Sequence, residues 1–174
     1  MQHAAIELPH TTGCLVCGRE NPHGMRLSLH VDEAAGVVGV EFTPRPEHIG
    51  FEGIVHGGVL ATVLDEAMVW AATWTGRRFC VCGEMSVRFR KSAAVGRALL
   101  CEARVESAAS KRPGTPRLIH TTGRIVEADG GAVIAESTGK YVPVPPERNR
   151  DVVATLVDER QTERAAAILK EAAK

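Results

Sequence analysis

A chain of 174 residues, 44% of them hydrophobic, suits one domain with a packed core and short appendages. Basic and acidic residues number 21 each, so the formal net charge is zero. That balance argues against a general nucleic-acid grip and leaves room only for a local basic patch on one anionic ligand.

The opening "MQHAAIELPH" lacks the basic region and apolar core of a signal peptide. No apolar run reaches the roughly 18 residues a membrane span needs, because Arg, Glu, Gly and His interrupt every candidate. A cytoplasmic location follows as the expectation. The odd set of five cysteines (Cys14, Cys17, Cys80, Cys82 and Cys101) is then expected to be reduced.

Residues 1–26 are rich in turn formers and read as an irregular segment. "LSLHV" places Leu27, Leu29 and Val31 on one face of a strand, and "GVVGVEFT" predicts a second strand after the turn "DEAAG". The prolines and glycines of "PRPEHIGFEG" predict a loop. From Gly57 to about Trp74 the apolar spacing is helical and covers nearly every face, which predicts a central helix, with Gly76 as its stop. Four strands should follow: "EMSVRFR", "ALLCEARVES", and two long ones joined at Asp129-Gly130-Gly131. "SAASKRPGTP" is a further loop, and the tail from Asp151 reads as one amphipathic helix.

The order predicts an α+β domain over 27–146, an antiparallel sheet curled round one helix, followed by a helical tail over 147–174. The open flank of such a sheet calls for a partner, most simply a second copy.

Chemistry concentrates in "HGGVLATVLDEA". Gly57 and Gly58 open the helix, so their N–H groups lack intrahelical acceptors and sit at the positive end of its dipole. Without side chains they admit a substrate carbonyl, as an oxyanion site requires. Asp65 can act as nucleophile or as general base to water. No basic residue lies between Gly57 and Trp74 to pair with it. His56 can bind substrate or cap the helix. Glu66 lies about 100° further round the helix and reads as structural.

"HGGVLATVLDEA" resembles the hotdog-fold acyl-CoA thioesterases of the PaaI-like (4HBT-type) branch, with an Asp nine positions after the His of His-Gly-Gly. The likeness extends over "CLVCGRENPHGMRL", "FTPRPEHIGFEGIVHGG" and "EMSVRFRKSAAVG". It implies a hotdog fold and hydrolysis of an acyl- or aryl-CoA thioester without a further cofactor or metal, coenzyme A being part of the substrate. It also implies a homodimer or dimer of dimers whose sites are shared between subunits. The separation of Gly58 and Asp65, about 10 Å along the helix, independently prevents one carbonyl from meeting both within one chain. Where related enzymes carry an assisting Ser or Thr after the helix, this chain has Cys82, a weaker hydrogen-bond partner. Where some carry an Asn before His-Gly-Gly, it has only Glu52 and His48 nearby.

Arg88, Arg90, Lys91, Lys111 and Arg112 are the candidate contacts for the phosphates of coenzyme A. Cys14-x-x-Cys17 invites a zinc reading, with His10, His23, Cys80 or Cys82 as further ligands, but the spacing fits no standard pattern, and a reduced structural pair or turn is the simpler expectation. Two other functions fit a hotdog chain, a non-catalytic acyl-CoA binder and a hydratase or dehydratase. The latter's Asp-x-x-x-x-His helix start is absent, and 26 residues before the first strand are too few for a DNA-binding module.

Overall fold

The computed structural model describes residues 5–109, 116–157 and 159–174. The N-terminal segment, irregular by its sequence, carries two short strands, β1 (Ile6–Glu7) and β2 (His10–Thr11). β3 (His30–Asp32) and β4 (Val37–Phe42) form the first expected hairpin. Its turn is held by Asp32, whose Oδ1 accepts the N–H groups of Ala34 (2.9 Å) and Ala35 (3.0 Å). Alternation puts Leu29, Val31, Val38, Val40 and Phe42 in the core. The proline-glycine loop is more ordered than its composition suggests. It contains a 3₁₀ turn and a small hairpin of β5 (Ile49–Phe51) and β6 (Ile54–Val55).

The central helix, α1, spans Gly57–Gly76. Leu60, Val63, Leu64, Ala67, Met68, Trp70, Ala71 and Trp74 are all buried, and removal of each large side chain from water contributes about 1.5–3 kcal/mol. The stop differs from the expected Gly76. Arg77 takes the left-handed conformation (φ 51°), and its guanidinium lies 4.3 Å over the Trp74 ring, an attraction that offsets the strain of a side chain there.

β7 (Cys80–Phe89), β8 (Leu99–Ala109), β9 (Leu118–Glu127) and β10 (Val133–Pro143) follow, the last two joined at Asp129-Gly130-Gly131 as expected. The seven-stranded sheet runs β1-β3-β4-β8-β9-β10-β7, with every pairing antiparallel. α1 lies against its concave face, touching β4 and β7 to β10. Gly123 and Gly139 make that contact close: a Cβ on either would come within 3.0 Å of Met68. This is the hotdog arrangement.

The tail departs from the single helix expected. α2 (Pro146–Ala154) ends at Thr155, whose hydroxyl (2.7 Å) and N–H (3.0 Å) both donate to the Val152 carbonyl. Leu156 and Val157 then form β11, which pairs with Thr11 and His10 of β2, and α3 (Glu163–Ala172) follows. The apolar pairs at 152–153 and 156–157 fit a continuous helix, but the second pair is instead used in strand contacts. The two terminal segments thereby close on each other, and Arg19 bridges Glu7 and Glu159.

Candidate active site

Asp65 stands on α1, half-buried, facing the junction of β7 and β10. The Tyr141 hydroxyl donates to its Oδ1 at 2.8 Å. Tyr141 is fully buried, and its phenol is held well above the usual range by burial and then by the Asp65 charge, so it stays a hydrogen-bond donor. This is the chain's one tyrosine, and nothing in the local sequence marks it, because it occupies an ordinary apolar position in a strand.

A β-bulge brings Cys82 to the same place. β7 pairs Glu84 with Lys140 but Cys82 with Tyr141, so Gly83 is the extra residue. The bulge switches which residues face the helix, from Met85, Val87 and Phe89 on one side to Cys82 on the other. Burial raises the Cys82 thiol above its ordinary value, with the Asp65 charge as the next cause. Asp65, Tyr141 and Cys82 therefore form one cluster.

His56 caps the helix, and its Nδ1 accepts the Gly58 N–H at 2.9 Å. That bond refines the expected donor pair. Gly58's amide is engaged by the cap, and among the described residues Gly57's amide has no acceptor. Phe89 covers this end of the helix, and a Cβ on Gly57 would sit 3.2 Å from its ring. Each end of β7 thus marks a different half of the site, Phe89 beside Gly57 and Cys82 beside Asp65. Glu52 is exposed, while the His48 carbonyl accepts the His56 N–H at 2.8 Å and so anchors the loop.

Among the described residues β7 is also an unpaired edge of the sheet, at the end opposite β1. Ten residues long, it pairs only with β10, and Val81 and Phe89 are exposed along it, with Phe51 and Ile54 exposed on the nearby loop.

The basic candidates divide. Arg88 and Arg90 lie on the outer face of the sheet, away from α1, where Arg90 is paired with Glu136 at 2.7 Å. They line an open depression of about 610 Å³ together with Glu102, Arg104, Glu106 and Arg124. Lys91 follows the end of β7 and is exposed. Lys111 and Arg112 lie outside the described residues.

Glu66 points about 100° round α1 from Asp65 and meets Cys14 and Cys17, with the three ligand atoms within 4.8 Å of one another. Trp70 Nε1 donates to Glu66 Oε1 at 3.0 Å. Burial, then the negative charge of Cys14, pushes the Glu66 carboxyl up to about 7. A hydrogen bond from Cys17 pulls the Cys14 thiol down to about 5, and Cys17 moves up in return. None of His10, His23, Cys80 and Cys82 joins this cluster. All five cysteines are free.

The thioesterase superfamily model matches residues 52–112, a span that holds the β5–β6 loop, α1, β7 and β8. A crystal structure of a thioesterase superfamily protein superposes with a TM-score of 0.66 at 28% identity, over 75% of this chain and 60% of that one. The chain therefore spans less than two thirds of that relative's length. The Escherichia coli PaaI protein of the phenylacetic acid degradation operon gives a TM-score of 0.55 at 21% identity, over 63% of this chain and 74% of that one. A Streptococcus mutans protein bound to acetyl-CoA gives 0.55 at 19% identity, over 63% of this chain and 82% of that one. No curated protein matches the chain by sequence. In the described residues no helix is long and apolar enough to cross a membrane.

Proposed function

From a hotdog chain that carries the thioesterase superfamily match across its central helix, we propose an acyl-CoA thioesterase with sites shared across a homodimer. The observation that carries this reading is Asp65, a half-buried carboxylate on the central helix, oriented by the Tyr141 hydroxyl at 2.8 Å and lying next to an unpaired sheet edge. Among the described residues no Lys or Arg pairs with this carboxylate, and the Tyr141 hydroxyl holds it instead, as suits a group kept for chemistry rather than for an ion pair.

The free edge explains how the halves meet. If two copies of β7 pair antiparallel about a two-fold at Ser86, each Ser86 facing its own copy, the extra residue at the Gly83 bulge sets Cys82 of one copy opposite Phe89 of the other. Asp65 then approaches Gly57 of the partner subunit. In the composite site the Gly57 N–H donates to the thioester carbonyl and holds the oxyanion that forms. The Asp65 carboxylate either takes the proton of an attacking water or attacks the carbonyl itself to give an anhydride that water opens. In both routes the C–S bond breaks, coenzyme A leaves as the thiol, and the acyl group leaves as the free acid. Lys91 is the candidate contact for the coenzyme A phosphates among the described residues; Lys111 and Arg112 are candidates by sequence alone, and Arg88 and Arg90 stand on the outer face of the sheet. The bound acetyl-CoA of the Streptococcus mutans neighbour supports a coenzyme A ligand for this fold.

Mixed subunits test both claims. Asp65→Asn should lower kcat by at least about 100-fold, as loss of a general base or nucleophile does. Gly57→Pro removes one N–H at the first helical position, where proline is tolerated, and His56 already has the extended conformation (ψ 132°) a following proline needs. Circular dichroism checks that Phe89 has made room for the ring. Each variant alone should be inactive towards aryl- and acyl-CoA esters, with free thiol as the readout. A random mixture should recover about a quarter of wild-type activity, because half the dimers are mixed and each has one intact site. No recovery sinks the shared site. Full activity in Asp65→Asn sinks the Asp65 mechanism, whereas tight acyl-CoA binding without turnover in the wild type favours the non-catalytic binder.

A further inference from the structure

The neighbouring face of α1, about 100° round from Asp65, carries a second cluster with its own chemistry. We propose that Cys14, Cys17 and Glu66 form a zinc site that fastens the N-terminal segment to the central helix. Their Sγ and carboxylate oxygen atoms converge within 4.8 Å, although 52 residues separate Cys14 from Glu66. Cys14 Sγ stands 3.7 Å from both carboxylate oxygens. A tetrahedral zinc with Zn–S of about 2.3 Å and Zn–O of about 2.1 Å sets sulfur and oxygen about 3.6 Å apart. The Cys14–Glu66 spacing thus already suits an ion, and Cys17 Sγ lies within 4.8 Å of both.

Three further features fit a metal better than a plain thiol pair. The turn is built to hold a thiolate: the Val16 N–H points at Cys14 Sγ at 3.3 Å, and Gly18 N–H donates to the Cys14 carbonyl at 3.1 Å. Any side chain at Gly18 would press to 2.5 Å from the Cys14 backbone, so only glycine permits this turn. The carboxylate is also oriented as a ligand. Trp70 Nε1 holds its Oε1, which leaves Oε2 for an ion, in the way ligating groups are commonly steered by their outer partners. Finally, Glu66 has no ion pair with Lys or Arg among the described residues, while two thiol groups surround it. A divalent cation would give this partly buried carboxylate, flanked by two thiol groups, the positive partner it lacks among the described residues. Two thiolates and one carboxylate are a borderline-soft set that suits zinc, with water completing four-coordination.

The consequence lies in position. Glu66 is the residue after Asp65, so an ion here would fix the helix turn that carries the candidate catalytic carboxylate. It would also tie that turn to β2 and, through β2, to the C-terminal β11.

The test is metal uptake by the whole reduced protein, independent of enzyme activity. After chelation and removal of the chelator, the wild type is titrated with Co2+ and then Zn2+. We expect one equivalent of cobalt per chain, a thiolate-to-cobalt charge-transfer band, displacement by zinc, and a melting temperature raised by several degrees. Cys14→Ser and Cys17→Ser should lose the band, Glu66→Gln should weaken uptake at least tenfold, and Cys82→Ser and Cys101→Ser should keep the band in full. Absence of a charge-transfer band in the reduced wild type overturns the site without recourse to any variant. So does stoichiometric uptake that survives the double change of Cys14 and Cys17 to Ser.

Discussion

At the scale of single residues, the site rests on how Asp65 is held. Tyr141 gives its hydroxyl to the carboxylate and is itself buried, so Tyr141→Phe keeps the packing and removes one hydrogen bond. A bond to a charged group is worth about 1.5–3 kcal/mol, so kcat should fall about 10-fold or more with KM nearly unchanged. Steady-state kinetics with one acyl-CoA ester reads the split, and a change confined to KM would show that Tyr141 shapes binding alone. Cys82 offers a complementary check. Cys82→Ser restores a hydroxyl beside Asp65 and should leave kcat within about threefold of wild type, whereas Cys82→Val removes the donor and should reduce it more. Equal rates in the two variants would exclude a hydrogen-bonding role.

At the scale of elements, the loop before the helix and the middle of the sheet each carry a prediction. His48 Nδ1 accepts the Arg45 N–H at 3.1 Å, and burial, then the Arg45 charge, holds this imidazole below its ordinary range. Glu47 opposes the shift without reversing it. Because the folded loop favours the neutral ring, its contribution is fully present above the unfolded pKa and is lost as pH falls through the lower folded one. His48→Gln should therefore flatten part of the acid side of the stability curve, and a two-dimensional NMR titration of the ring should report a midpoint below that of a free histidine. In the sheet, the Thr121 hydroxyl is buried with no hydrogen-bond partner among the described residues. Thr121→Val keeps the shape, removes the unmet group, and should stabilise by about 1 kcal/mol in urea melts.

These elements also show what the sequence could disclose. The helix, the hairpin at Gly130 and the alternation of β4 and β8 follow from local periodicity, and the apolar pattern leaves few alternatives there. The tail was not legible as helix–strand–helix, because Val152, Val153, Leu156 and Val157 satisfy a helical repeat and only contact with β2 decides against it. Tyr141 was hidden for a similar reason. Its strand position is ordinary, and its role comes from a bulge at Gly83 and from Asp65, 76 residues away. The Glu66 cluster required knowledge that residues 14–17 fold back onto α1, a contact that no local pattern in either stretch records.

At the scale of the whole molecule, β7 is a ten-residue edge with apolar residues exposed along it, the kind of strand that proteins normally cover. A lysine in its middle should prevent pairing of two copies. Ser86→Lys would place two cations near each other across the proposed two-fold and add to Arg88, so sedimentation at micromolar concentration should show a shift towards monomer, partly reversed by salt. Thioesterase activity should fall with the dimer. A fully active monomer would refute the composite site while leaving Asp65 untouched.

Both of the chain's tryptophans, Trp70 and Trp74, lie on α1. Trp70 touches the Glu66 carboxylate and the edge of Phe79, and Trp74 lies under Arg77. The intrinsic fluorescence of this protein therefore comes from one helix, and the clasp of β2 with β11 and α3 emits nothing of its own. If the termini open before the core, a thermal scan by far-ultraviolet dichroism will begin to move while the tryptophan emission is still flat. The interval between the two curves would measure how strongly the ends of the chain are fastened.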